Sequence, residues 1–308
     1  MSQKESTKPF FSIVVPTFNR GDLIEKTILT ILEQNYTNFE LIIVDDGSTD
    51  NTSEIVSAIN DERIKYFYKQ NKERGAARNF GVLAAIGEYV TFCDSDDILY
   101  SDYLMNAFEF INNSKEVVNW MHLSYEILLE NSKSIVMSID PENYILELAK
   151  GNPLSCMGIF VKSSIIKVNL FNEDRYLSGS EDWELWIRLA AQFPIMVDPR
   201  VSSGLIIHKG RSVFATDELK LQLRKFLSIG YAFDEIVVQE KFGNYKSLME
   251  AYFNTYISLH LMLDKKHKVS FLYLFKGIYQ NPRCIFESRF LAIFKYFLLN
   301  IFRISKIS

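Results

Sequence analysis

At 308 residues and 35.8 kDa the chain is long enough for one large domain, or for a catalytic domain with a smaller appendage. Hydrophobic residues at 48%, charged residues at 23% and a net charge of -4 are ordinary for a globular protein and argue against a nucleic-acid partner. Three distant cysteines, Cys93, Cys156 and Cys284, lack ligand-like spacing, which excludes a disulfide framework or a zinc site as the organising feature.

Met1 to Lys8 is polar, without the apolar core of a secretory signal, so the expected start of the chain is cytoplasmic. Phe10 to Pro16 reads as a strand that stops at a proline, and Thr17-Phe18-Asn19-Arg20-Gly21 as the loop after it. Asp22 with Glu25 resembles a helix start, followed by Leu23, Ile24, Ile28, Ile31 and Leu32 at helical spacing. The continuous run Phe39 to Val44 fits a strand covered on both faces, and it ends in Asp45-Asp46-Gly47-Ser48. A helix over Thr52 to Ile59, a strand over Arg63 to Tyr68 and a helix from about Gly75 to Ala85 come next.

The most informative stretch follows, Gly87-Glu88-Tyr89-Val90-Thr91-Phe92-Cys93-Asp94-Ser95-Asp96-Asp97. A short buried strand ends in three carboxylates that repel one another and lose hydration against the protein wall, a difficulty that a cation between them relieves. The competing reading is a solvated acidic turn capping the next helix. Strands alternating with helices predict an α/β fold with a mainly parallel sheet, and such sheets bind ligands outside the carboxyl ends of their strands. The loop after Pro16, the pair Asp45-Asp46 and the cluster Asp94-Ser95-Asp96 are all expected on that edge.

Beyond a helix at about Asp102 to Ile111, strands are predicted over Val117 to Leu128 and Ser134 to Ile139, and a helix over Pro141 to Ala149. Ser155 to Val161 is a further apolar run. Ser178-Gly179-Ser180 leads into an amphipathic helix with Glu181 and Asp182 in its first turn, where the macrodipole favours anions and capping is the alternative role. Ile195 to Val197 and Gly204 to His208 read as two short closing strands. From Asp217 onward the pattern is helical, over about Glu218 to Phe226, Tyr245 to Leu263, Val269 to Tyr279 and Phe286 to Ile304. The expected division is a catalytic domain over 1–214 and a helical region over 215–308.

Five motifs occur in order: Val14-Val15-Pro16-Thr17-Phe18-Asn19-Arg20, Val44-Asp45-Asp46-Gly47-Ser48, Gly75-Ala76-Ala77-Arg78-Asn79, Gly87-Glu88-Tyr89 into Asp94-Ser95-Asp96-Asp97, and Glu181-Asp182. In this order they resemble the family 2 glycosyltransferases of the GT-A fold, over roughly residues 10 to 212. The resemblance implies inverting transfer of a sugar from a nucleotide-diphosphate donor to an acceptor hydroxyl. It makes Asp96 the direct ligand of Mn²⁺ or Mg²⁺, places Asp94 on the metal, its waters or a ribose, and puts Ser95 between them. It makes Asp182 the general base, with Glu181 orienting it or binding the acceptor. It assigns Asp46 to the imide N–H of a uracil-type base, Phe18 to stacking, Pro16 and Thr17 to the backbone beside the nucleotide, and Arg78 to base or phosphate. His208 falls where some relatives place a further metal or phosphate contact.

The Gln-x-x-Arg-Trp motif of processive synthases is missing after Glu181-Asp182, so one sugar per encounter is expected. Asn71-Lys72-Glu73-Arg74 lacks the glycine usual after the asparagine. Trp183 and Trp186 are candidates for an acceptor platform, with core packing the alternative, above all for Trp186. The last forty or so residues are aromatic and basic together, with Lys265, Lys266, Lys268, Lys276, Arg283, Arg289, Lys295, Arg303 and Lys306 against Asp264 and Glu287, and the run Phe290 to Phe302 fits an amphipathic helix on an anionic membrane or an ordinary packed helix.

The implied partners are a UDP-sugar donor and a glycan or lipid-linked glycan acceptor, with the enzyme cytoplasmic and peripheral on the inner face of the membrane. Two alternatives share the fold: a transferase that loads sugar onto a polyprenyl phosphate, and a non-catalytic membrane scaffold. A nucleotidyltransferase ranks low, because the loop after the first strand is not the Gly-rich basic loop that a triphosphate needs, and the carboxylates at both ends of the expected site argue against a scaffold.

Overall fold

The computed structural model describes residues 11–129, 133–207 and 217–304, which fall into two compact units. The first comprises Met1–Tyr144, Pro153–Arg175 and Phe193–Gly210, and the second Ile145–Asn152, Tyr176–Gln192 and Arg211–Ser308. The units interleave along the chain. Ile145–Asn152 and Tyr176–Gln192 belong with the C-terminal helices.

In the first unit β1 (Phe11–Thr17), α1 (Gly21–Leu32), β2 (Phe39–Asp45), α2 (Thr52–Ala58), β3 (Ile64–Tyr68), α3 (Glu73–Ala84) and β4 (Tyr89–Phe92) alternate. Their strands lie side by side in the order β3-β2-β1-β4, all parallel. Every residue of β1, β2 and β4 is buried, as expected of largely apolar strands in a parallel sheet covered on both faces. Ile24, Ile28 and Ile31 put one apolar stripe of α1 into the core. Parallel register then carries Thr17 beside Asp45, and Asp45 beside Tyr68, so the loops after these strands leave from one edge.

The unit continues through β5 (Ile98–Leu99), α4 (Tyr103–Asn113), β6 (Trp120–Leu128), β7 (Ser134–Met137), the start of α5 (Tyr144–Lys150), β8 (Ile159–Lys162), α6 (Ser163–Ile166) and a strand β9 (Met196–Ile206). These extend the sheet past β4 as β8-β6-β9-β5, mostly antiparallel, with β7 on β6. The mixed α/β sheet agrees with the expected fold class. β9 differs from expectation, because the two closing strands are one. Pairing with β6 slips between Leu123 and Tyr125, which leaves Pro199 in the irregular stretch where a missing N–H costs no ladder bond.

The second unit is helical: α7 (Glu181–Gln192), α8 (Glu218–Phe233), α9 (Ile236–Phe242), α10 (Lys246–Leu263), α11 (His267–Gln280) and α12 (Ser288–Ile304). Leu221, Ile257, Leu261 and Tyr273 form one apolar cluster, and Met262, Leu274 and Ile293 another. Trp183 and Trp186 are 1% and 0% exposed, which rules out an acceptor platform in this structure and makes both core residues. No helix among the described residues is long and apolar enough to cross a membrane. α12 buries Ile293 but leaves Leu291, Leu298 and Ile301 exposed.

Candidate active site

Two loops on the sheet edge are stitched together by side chains. Asp45 accepts the Ser48 amide at 2.7 Å and the Tyr66 hydroxyl at 2.7 Å. The Ser48 hydroxyl accepts the Asn19 amide at 2.8 Å, and Asn19 in turn accepts the Thr49 amide at 2.8 Å. α1 starts without a cap from its own segment. Its Gly21 amide donates to Asp50 of the neighbouring loop at 3.0 Å, not to the expected Asp22 and Glu25 pair. Gly47 makes the turn possible, since its φ is +88° and an added Cβ would lie 3.0 Å from the Asn71 amide.

Asp46 is 3% exposed, ion-paired with Lys69, and accepts the Lys72 amide at 3.0 Å. The segment without the usual glycine holds Glu73 at φ 72°, a left-handed conformation carried by a side chain that disfavours it. Phe18 is 45% exposed on the same loop system, while Pro16 and Thr17 are buried in β1. The Thr17 hydroxyl oxygen is buried and meets no hydrogen-bond partner among the described residues.

After β4, ligand oxygens of Asp94, Asp96 and Asp97 lie within 4.8 Å of one another. Oxygen donors at that spacing suit a hard divalent cation, so the residues present fit one. Two arginines face them. Arg78 on α3, 2% exposed and therefore no surface cation, donates to Asp94 at 2.7 Å, and Arg20 lies 3.7 Å from Asp96. Asp97 is buried and accepts the Ile206 amide at 2.9 Å, which ties the cluster to β9. Ser95 is buried between them. Burial first, then Asp97, Asp94 and Asp96, pushes the Cys93 thiol well up, so it stays protonated beneath the carboxylates.

In the second unit Glu181 accepts the Gly179 amide at 2.6 Å and the Ser180 amide at 3.1 Å, so its carboxylate shapes the turn into α7. Asp182 accepts Asn152 Nδ2 at 2.9 Å and the Trp183 amide at 2.7 Å. The Trp183 indole donates to the carbonyls of Leu148 and Gly151, both at 2.9 Å, and packs edge-on against Phe253. The turn bearing Asp182 is thus fixed by its own unit's core. His208 lies outside the described residues.

The profile described as Glycosyl transferase family 2 matches residues 12–162, which contain every site residue of the first unit. A glycosyltransferase of Haemophilus influenzae is 31% identical over 243 residues, 78% of this chain and 92% of that protein. The chain belongs to glycosyl transferase family 2. Another relative in the family, the GalNAc(5)-diNAcBac-PP-undecaprenol beta-1,3-glucosyltransferase of Campylobacter jejuni, is 27% identical over 296 residues, 88% of each chain. A Rickettsia felis glycosyltransferase is 32% identical over 207 residues, and this chain spans 66% of itself but only 34% of that relative.

Among solved structures the fold is that of S. aureus TarS with UDP-GlcNAc, at a TM-score of 0.60, 19% identity, and coverage of 88% and 89%. It is also that of the Pyrobaculum calidifontis mannosyltransferase PcManGT with GDP-Man and Mn²⁺, at a TM-score of 0.62, 18% identity, and coverage of 96% and 88%. These likenesses identify the GT-A fold. For this family 2 chain, the counter-ions Arg20 and Lys69 and the Asp182 partner Asn152 escaped sequence reasoning. Arg20 ends the first of the five motifs, but only the folded loop brings it to Asp96.

Proposed function

We propose that this chain transfers a sugar, with inversion, from a nucleotide-diphosphate donor to a hydroxyl of a glycan or lipid-linked glycan, one sugar per encounter. The observation that carries the reading is the trio Asp94, Asp96 and Asp97, gathered at the strand edge of a family 2 fold and flanked by Arg20 and Arg78. Asp96 and Asp94 would hold Mn²⁺ or Mg²⁺, which when bound offsets the charge that builds on the departing diphosphate. Arg78, buried and held in one orientation, would face that same charge. Phe18, exposed at the edge, offers a face for a base, and Asp46, kept in place by Lys69 and Lys72, an acceptor for its imide N–H. UDP-sugar is therefore the favoured donor. Asp182 would take the proton of the attacking hydroxyl, with its carboxylate aimed by Asn152. The Campylobacter relative, whose name carries a PP-undecaprenol acceptor, supports a lipid-linked acceptor here.

Such an acceptor sits at a membrane, and α12 exposes Leu291, Leu298 and Ile301 for peripheral docking. Arg289 takes no part in that face, since its guanidinium is turned to the Tyr252 carbonyl. Donor hydrolysis tests the catalytic reading most cheaply. Release of UDP from UDP-sugars that requires Mn²⁺ or Mg²⁺ supports it, and no release from any nucleotide sugar contradicts it. Flotation with phosphatidylglycerol vesicles tests docking, with wild type expected to float and a Leu291→Ser, Leu298→Ser variant to remain below.

A further inference from the structure

Three cations of the second unit meet around one tyrosine. Arg224 of α8 is 7% exposed, and its Nη2 lies 3.5 Å from the Tyr256 hydroxyl. Its Nε is buried and meets no hydrogen-bond acceptor among the described residues. Lys225, half-buried by surface, holds its Nζ 4.8 Å from the Tyr256 ring centre and 5.0 Å from that of Phe253. Arg289, from the first turn of α12, lies 5.6 Å from the Tyr256 ring centre, and its Nη1 donates to the Tyr252 carbonyl at 3.0 Å.

No carboxylate forms an ion pair with any of the three among the described residues, although acids of this unit pair with Lys150, Arg188 and Lys266. Glu181 and Asp182 are near enough to favour the charge on Lys225, and Glu287, itself paired with Lys150, does the same for Arg289. The His260 ring lies 4.1 Å from that of Tyr256, tilted by 37°, and burial, ahead of the same three cations, holds its pKa below the ordinary value. The cluster is therefore cationic and only partly offset.

Its place relative to the proposed base is also set. An added Cβ on Gly179 would lie 2.9 Å from Arg224 Nη1, so the guanidinium reaches the turn that leads to Glu181 and Asp182. Two guanidinium forks and an ammonium match the charge and geometry of phosphate oxygens better than those of a single carboxylate. We propose that Arg224, Lys225 and Arg289 form an anion site for a diphosphate carried by the acceptor, an inference that rests on Asp182 being where that acceptor is activated. The bound diphosphate would satisfy Arg224 Nε and anchor the acceptor beside its base.

Calorimetric titration with inorganic pyrophosphate in EDTA tests the site without any sugar transfer, so its failure and failure of the transferase reading are separable. Wild type is expected to bind, Arg224→Gln to bind about tenfold or more weakly, and Lys65→Gln, at a half-exposed position on β3 outside both sites, to bind as wild type does. Lys225→Gln, a milder change at a half-buried position, is expected to weaken binding in the same direction with an unchanged thermal melt. Farnesyl diphosphate is expected to bind at least as well as pyrophosphate and to lose the same factor in Arg224→Gln. The proposal is overturned by no pyrophosphate binding at about 10 mM, by loss that follows Lys65 rather than Arg224, or by competition from phosphatidylglycerol vesicles without binding of farnesyl diphosphate.

Discussion

The acidic edge of the sheet and the cationic cluster of the helical unit solve the same electrostatic problem in opposite ways. At the edge, Asp94 and Asp96 are each faced by an arginine, and Asp97 is tied to a backbone amide. Like charges about 5 Å apart repel by roughly 3 kcal/mol at an effective dielectric of 20, and those built-in partners offset it. Around Tyr256 three cations converge, with no carboxylate ion pair and one buried donor left over among the described residues. A cation arriving at the edge must share carboxylates that already have partners. An anion arriving at the cluster supplies partners that the fold withholds.

The sharpest way to break this contrast is at the base. Asp182→Asn is expected to cut transfer to a hydroxyl by about 10²–10⁴-fold while the thermal melt stays put. Retained transfer would point to an acceptor that is already ionised, the polyprenyl-phosphate alternative. The stitching that presets the acidic edge is tested by Gly47→Ala, which forces a side chain to φ +88° and crowds the Asn71 amide. Equilibrium unfolding should show a loss of about 1–3 kcal/mol, and an unchanged midpoint would mean that the loop relaxes freely.

A smaller effect is expected from Arg20→Gln. Removing a positive charge 3.7 Å from Asp96 should tighten Mn²⁺ binding by about three- to tenfold in a calorimetric titration, and weaker binding would make Arg20 a support of the site instead. The smallest concerns pH at the cationic cluster. Burial, then Arg224, lowers the Lys225 pKa to about 8, against the pull of Asp182 and Glu181, with Arg289 adding to the fall. The ammonium is therefore charged below that value and neutral above it. Pyrophosphate affinity should drop a few-fold between about pH 7 and 9, and Lys225→Arg, charged throughout, should abolish the drop.

Much of the first unit was legible because its signals are local. The apolar runs of β1, β2 and β4 end at polar loops, and parallel register alone brings those loops to one edge. Asp94, Ser95 and Asp96 could be named from four residues of sequence. What could not be read depends on partners far apart in the chain. β5 has two residues, too few for any period, and the single strand β9 reads as two because its pairing slips against β6. Asp50 caps a helix that begins 29 residues earlier. Arg224, Lys225 and Arg289 sit on two helices 65 positions apart at the extremes, and α10 between them supplies the aromatic rings they share. Trp183 reads as platform or core and Trp186 more readily as core, and the packed helix makes both core residues.

The central claim is that the carboxylates after β4 bind a nucleotide sugar through a divalent cation. Thermal shift of wild type and Asp96→Asn with UDP-sugars, with and without Mn²⁺, tests it most directly. The account predicts a metal-dependent rise for wild type that Asp96→Asn loses. An equal rise in both proteins, or one that EDTA leaves intact, would contradict it.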